Sequence, residues 1–354
     1  MSAEEVAVPF ELAGVSVAPG RRTVVEMPAA QLYTNTPLNI PVHVVHGRRP
    51  GPVLLVCAAI HGDELNGVEI IRRVLQSQSL RNLRGTLVAV PVVNVFGFIH
   101  KSRYLPDRRD LNRCFPGSET GSLGARMAWL FKNQILDRCT HAIDLHTGAV
   151  YRSNLPQIRA NLDSSATAEM AQAFGVPLIL NSVLRDGTLR EVAEAQNIPV
   201  ITYEAGEALR FDEASIRAGV RGVINVMRHL SMVAPARKPH PLVEPSVARS
   251  SLWVRAERDG VFRSLVALGD RIKKDQLLGR ISSPFSSDEM QILAPCAGIL
   301  VGRDNLPLVN EGEALFHIAR FEEVKEVAEQ VQAFAADILE GVTLGTSTEP
   351  PIAP

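Results

Sequence analysis

Apolar residues are arranged in two textures along this chain. Up to about residue 235, continuous apolar runs alternate with stretches in which apolar positions recur every three or four residues. Residues 53–60 (VLLVCAAI) and 86–93 (TLVAVPVV) are uninterrupted enough to be strands buried on both faces. Residues 65–75 place Leu65, Val68, Ile71 and Leu75 at helical spacing. The same alternation predicts helices over 123–135, 166–174 and 216–230, and strands over 140–145 and 199–203. Strands alternating with helices predict an α/β fold: a mixed, mostly parallel sheet flanked by helices. The texture changes after residue 250. Short alternating stretches separated by Gly260, Gly269, Gly279, Gly298, Gly302 and Gly312 predict a smaller β-barrel-like unit over 251–320. Phe321, Val324, Val327, Val331, Phe334 and Ile338 then fall on one helical face, so 321–341 is expected to be an amphipathic helix.

Composition and length refine this division. At about 150 residues per domain, a chain of 354 residues suggests two domains. Pro235, Pro239, Pro241 and Pro245 cluster where the texture changes. Proline fixes φ and removes a ladder donor, so the expected organisation is a domain over 1–235 and a proline-rich linker over 236–250. The small β domain, the helix and a flexible tail over 342–354 follow. Lys plus Arg number 37 against 38 Asp plus Glu, a formal charge of -1. That balance argues against a protein that coats nucleic acid or an anionic membrane. No apolar run is long enough to span a bilayer. The N-terminal stretch carries Glu4 and Glu5 and no basic residue before its apolar positions, which is not the pattern of a secretory signal. The four cysteines form no CxxC pair, and a reducing, cytoplasmic setting is expected.

Four polar clusters interrupt the apolar pattern where chemistry is expected. His61-Gly62-Asp63-Glu64 stands where a buried strand gives way to a helix, a position at which open α/β sheets bind ligands. His61 and Glu64 are candidate metal ligands; Asp63 and Glu64 read equally as acids favoured at a helix start. Asp144-Leu145-His146-Thr147-Gly148 closes another strand. Asp144 and His146 share a strand face, so His146 is a third candidate ligand and Asp144 a carboxylate able to orient a histidine. Three ligands and an open position are the pattern of a catalytic zinc site. Glu204 closes a third strand before Gly206, as a general base or as a cap. A loop containing Arg103, Arg109, Asn112 and Arg113 offers forked donors for a carboxylate, or a solvated basic surface. Of the other seven histidines, His43 and His46 lie on opposite faces of a strand-like segment and the remaining five have no ligand partner nearby in sequence, so all seven read as packing or surface residues. Cys57 lies in a buried run and reads as inert. No GxSxG elbow or glycine-rich phosphate loop occurs.

The order HGDE (61–64), RDLNRCFPG (109–117), DLHTG (144–148) and YEAG (203–206) resembles the succinylglutamate desuccinylase/aspartoacylase family, whose fold is zinc carboxypeptidase-like. The resemblance covers roughly residues 40–320. It implies one zinc ion per chain held by His61, Glu64 and His146, with Glu204 as general base and acid. It further implies that Asn112 and Arg113 hold the substrate carboxylate, and that an upstream arginine stabilises the oxyanion. Arg103 is the choice for that role and Arg109 its rival. Residues 151–156 are a candidate specificity segment. The C-terminal part resembles a lipoyl/biotinyl-type barrel around Ala294-Pro295-Cys296-Ala297-Gly298. No lysine lies between Lys274 and Lys325, so a swinging-arm role is not expected. The family's C-terminal domain narrows access to the site, which favours small substrates.

The function so implied is a zinc-dependent hydrolase of linear amide bonds that deacylates an N-acyl amino acid or a related small N-acyl amine. The partner is then a small molecule, with no nucleic acid and no membrane. The resemblance also allows a homo-oligomer. Two other functions compete: a metallocarboxypeptidase acting on small peptides, and a non-catalytic binding protein of the same fold.

Overall fold

The structure is a computed structural model describing residues 6–236, 244–248 and 250–343. Among these residues the largest sheet has thirteen strands. Its centre is parallel, with Arg84–Val90, Arg49–Ala58, His141–Gly148 and Val200–Glu207 side by side in that order. Most of each continuous apolar run lies in these strands, whose residues are covered on both faces, although the run 53–60 passes the strand end at Ala58 and the run 86–93 passes the strand end at Val90. Leu54, Val56 and Ala58 pack into one core with the helices Asn66–Gln76, Ser165–Phe174 and Glu213–His229. Leu55 and Cys57 point the other way, into a core shared with Met127 and Phe131 of the helix Leu123–Gln134. The fold is therefore α/β with a mixed sheet flanked by helices.

Antiparallel strands complete the sheet. Pro37–His46 pairs with Arg84–Val90, and Arg22–Gln31 pairs with Pro37–His46. On the other side Arg152–Ala160 pairs with Val200–Glu207. The far edge of Arg152–Ala160 is divided. Its C-terminal half pairs with Leu178–Asn181, and its N-terminal half pairs with Gly298–Asp304. Ala314–Arg320 and Ser250–Arg255 extend the sheet from there. An exposed strand edge is a template for unwanted pairing, and here the C-terminal residues cover it. The remaining β structure includes a separate four-stranded sheet, with Phe262, Leu278, Ile281 and Phe316 in its core.

Of the segment expected to be a linker, residues 237–243 and 249 lie outside the described residues, and Ser246–Ala248 pairs in parallel with Leu178–Asn181. The last helix runs over Val324–Thr343; Val327 and Val331 pack beside that junction, and Phe334 and Ile338 reach the main core. Residues 344–354 of the expected tail also lie outside the described residues. Among the described residues no helix is long and apolar enough to cross a membrane.

Candidate active site

Two neighbouring strands and the turn between strand and helix bring the first cluster together. The strand Arg49–Ala58 ends at Ala59, whose φ of 49° turns the chain out of the sheet. At Gly62 a Cβ atom would stand 2.0 Å from the carbonyl carbon of Gly97. Only glycine lets this turn close against the helix Val95–His100. The turn then stacks His61 over Glu64, whose N–H donates to the His61 carbonyl at 3.1 Å. His146 arrives by register. Cys57 pairs with Asp144 and Ala58 with Leu145, so His146 lies one step past the end of the Arg49–Ala58 strand. The sequence pattern ends this strand at Leu145, but it continues to Gly148. Beyond Leu145 the parallel neighbour Val200–Glu207 holds the polar motif extended, pairing Glu204 with His146 and Glu207 with Gly148.

His61 Nδ1 lies 2.7 Å from Glu64 Oε1, and His146 Nδ1 lies 2.9 Å from Glu64 Oε2. One ligand atom from each of these three buried residues falls within 4.8 Å of the others. The outer nitrogens face carboxylates: His61 Nε2 is 3.1 Å from Asp110 Oδ1, and His146 Nε2 is 2.7 Å from Asp144 Oδ2. Each imidazole thus presents Nδ1 inward and is held from behind by a carboxylate, the usual support of a metal-ligating histidine. Burial would lower the affinity of His146 for a proton, but Asp144 and Glu64 outweigh it and push its pKa well up. His61 is also raised, with Glu64 and Asp110 overcoming burial. Burial would raise the Glu64 carboxyl, yet the two histidines hold it below the usual carboxylate range. Two imidazoles and a carboxylate converging on one point fit zinc, which accepts N and O donors at about 2.0–2.2 Å.

The arginine loop separates into near and far members. Arg103 Nη1 donates to Glu64 Oε1 at 3.3 Å, and its Nε and Nη2 donate to Asp110 Oδ2 at 3.2 and 2.9 Å. Asp110 therefore touches both His61 and Arg103, and it also accepts the N–H of Asn112 at 2.9 Å. Arg109 points elsewhere, 60% exposed and 3.6 Å from Asp107. Asn112 Oδ1 accepts the N–H of Leu189 at 2.9 Å, which ties this loop to the start of the helix Leu189–Ala195. Arg113 is exposed and donates to the Asn112 carbonyl.

Glu204 is the register partner of His146 across the parallel pair, so both side chains rise from the same sheet face. Its carboxylate accepts from Asn154 Nδ2 at 2.6 Å and pairs with Arg159 at 3.1 Å. Its strand runs on to Glu207, where the sequence pattern ends at Tyr203. Gly206 has a φ of +75°, and a Cβ there would meet Asn66 Nδ2 at 2.5 Å. Cys57 stays inert, its thiol pushed well up by burial and by Asp144. Sequence reasoning assigned no role to Asp110, Asn154, Gln157 or Arg159. The signals were thin: Asp110 lies inside the RDLNRCFPG motif and Asn154 inside the 151–156 segment.

Known proteins share this fold. Residues 50–230 match the Succinylglutamate desuccinylase/Aspartoacylase catalytic domain. An N-alpha-acetyl-L-2,4-diaminobutyric acid deacetylase of Halomonas elongata is 26% identical over 292 residues, covering 79% of this chain and 85% of the relative. The product-bound ectoine utilization protein EutE (DoeB) of Ruegeria pomeroyi superposes with a TM-score of 0.77 at 23% identity, covering 90% of this chain and 99% of that one. A succinylglutamate desuccinylase/aspartoacylase of Rhodobacter sphaeroides does so with a TM-score of 0.76 at 23% identity, over 85% and 96% of the two chains.

Proposed function

This chain belongs to the succinylglutamate desuccinylase/aspartoacylase family, and from that premise we propose that it is a zinc-dependent amidohydrolase releasing the acyl group of an N-acyl amino acid. The observation that supports this most is the convergence of His61, Glu64 and His146, with Glu204 the register partner of His146 on the neighbouring strand. His61, Glu64 and His146 would hold one zinc ion, which when bound supplies Lewis acidity to the attacking water and the acyl carbonyl. Glu204 takes the proton of that water as it attacks the acyl carbon. The negative charge that develops on the carbonyl oxygen falls to the Arg103 guanidinium, already aimed at the cluster by Asp110. Glu204 then returns the proton to the leaving amine as the C–N bond breaks. Asn112 Nδ2 and the Arg113 guanidinium hold the substrate carboxylate. Arg109, turned outward, stands outside this set. The deacetylase relative points to small acetylated amino acids, diamino acids among them, as the first substrates to try.

The test is a screen of N-acyl amino acids with zinc-loaded protein and mass-spectrometric detection of the released acid and amine. Release of the free amino acid, abolished by a chelator and restored by zinc, is the expected result. Cleavage of short peptides in preference would make the protein a carboxypeptidase. Purified protein without turnover or metal would make it a binding protein.

Asp110 gives this reading a further check. Asp110→Asn keeps the shape but removes the charge that His61 and Arg103 share. Loss of such an outer partner typically costs 10–100-fold in metal affinity. Zinc competition against a chelator should show a loss of about that size with the fold retained, and turnover should fall further because Arg103 is released as well. Unchanged zinc affinity would remove Asp110 from the metal's support.

A further inference from the structure

The strand Arg152–Ala160 lies beside Glu204 and carries more polar side chains than a central strand ordinarily holds. Asn154 and Arg159 both engage the Glu204 carboxylate. Gln157, between them in sequence, is the direct register partner of Glu204. Partners across an antiparallel pair share a face, with Cβ atoms about 4.5–5.5 Å apart. Gln157 is 0% exposed. Among the described residues neither its Oε1 nor its Nε2 has a hydrogen-bond partner. A buried carboxamide with neither end paired is costly to keep, and its cost is offset where a ligand completes it.

A carboxamide presents one acceptor and one donor side by side. An N-acyl α-amino acid presents the complement: its amide N–H and its carboxylate flank a single carbon. A plain N-acyl amine offers only the N–H. We propose that Gln157 is a specificity-determining residue that selects N-acyl α-amino acids. Its Oε1 accepts the N–H of the scissile amide, and its Nε2 donates to a carboxylate oxygen. The carboxylate's other oxygen remains for Asn112 and Arg113. This placement rests on the amidohydrolase reading, since it sets the scissile nitrogen beside Glu204, the group that protonates it.

The experiment compares an N-acetyl L-amino acid with the N-acetyl amine that lacks only its carboxylate, using zinc-loaded wild type and Gln157→Met, with melting temperatures recorded alongside. Wild type is expected to prefer the amino acid by about 100-fold or more in kcat/KM. Gln157→Met should cut that preference at least tenfold, chiefly through KM, and should melt no lower than wild type because two unpaired buried atoms are gone. An unchanged preference overturns the inference and leaves a trapped water as the partner of Gln157. Equal losses on both substrates overturn it as well, by making the residue structural. If the methionine variant fails to fold, Gln157→Asn, which keeps the amide but draws it back, is held to the same preference test. Wild type that cleaves neither substrate sinks the amidohydrolase reading and this inference with it, whereas wild-type turnover with an unaltered preference in the variant sinks this inference alone.

Discussion

Glu204→Gln is expected to lower kcat on the order of 10³-fold, within the range that general acid–base catalysis supplies. That loss corresponds to about 4 kcal/mol of transition-state stabilisation. Zinc content should stay near one ion per chain, because Glu204 is outside the ligand set His61, Glu64 and His146. The fold should also survive. The glutamine oxygen still accepts from Asn154 Nδ2, which lies 2.6 Å from the present carboxylate. What the amide cannot do is take a proton from water and return it to the amine. Zinc content by elemental analysis and single-turnover rates together test the role, and a fully active Glu204→Gln protein would end the base assignment.

His146→Ala is expected to empty the metal site. Removing a ligand should exceed the roughly 100-fold loss of affinity that follows the loss of an outer partner. The same change leaves Glu64 with one histidine instead of two and leaves Asp144 buried without its 2.7 Å partner. The protein should therefore also lose stability, and its melting temperature should no longer respond to added zinc. The pH dependence of binding follows from the direction of the histidine shifts. His61 and His146 both hold their protons to higher pH than a free histidine. Zinc binds the neutral ring, so it must displace those protons. Its affinity should rise with pH until the raised pKa values are passed. The metal-free protein should show the opposite trend in stability, since raised histidine pKa values stabilise the fold at low pH and that contribution fades as pH rises through them. Chelator competition at several pH values, with parallel melting of both forms, measures both slopes. Zinc content unchanged in His146→Ala would refute the ligand set.

Much of this arrangement was legible in the residue pattern, for identifiable reasons. Strands buried on both faces need apolar residues at nearly every position, so the runs 53–60 and 86–93 announced the strands found over Arg49–Ala58 and Arg84–Val90. Helices with one buried stripe announced themselves by their period: the expected helix over 123–135 is found over Leu123–Gln134. The HGDE, DLHTG and YEAG clusters stood out because polar residues interrupt that pattern. The same logic hid the strand Arg152–Ala160. It carries Pro156 and several polar side chains, so neither alternation nor an apolar run marked it, and proline argues against a central strand. The strand is polar on the face it shares with Glu204, where Gln157 and Arg159 lie.

The choice between Arg103 and Arg109 shows the same division. Both belong to one loop, and no local rule separates their guanidinium groups. Asp110 separates them by bonding Arg103, while Arg109 turns outward toward Asp107. Residue order determined which chemical groups this protein carries and which apolar faces must be buried, because side-chain chemistry and hydrophobic period are local properties. Tertiary structure decided which of those groups meet. The parallel register sets His146 beside Glu204, the turn at Gly62 stacks His61 on Glu64, and the antiparallel register seats Gln157 opposite Glu204. Each of these meetings joins positions by sheet pairing or turn packing, and neither is visible until the backbone hydrogen bonds are closed.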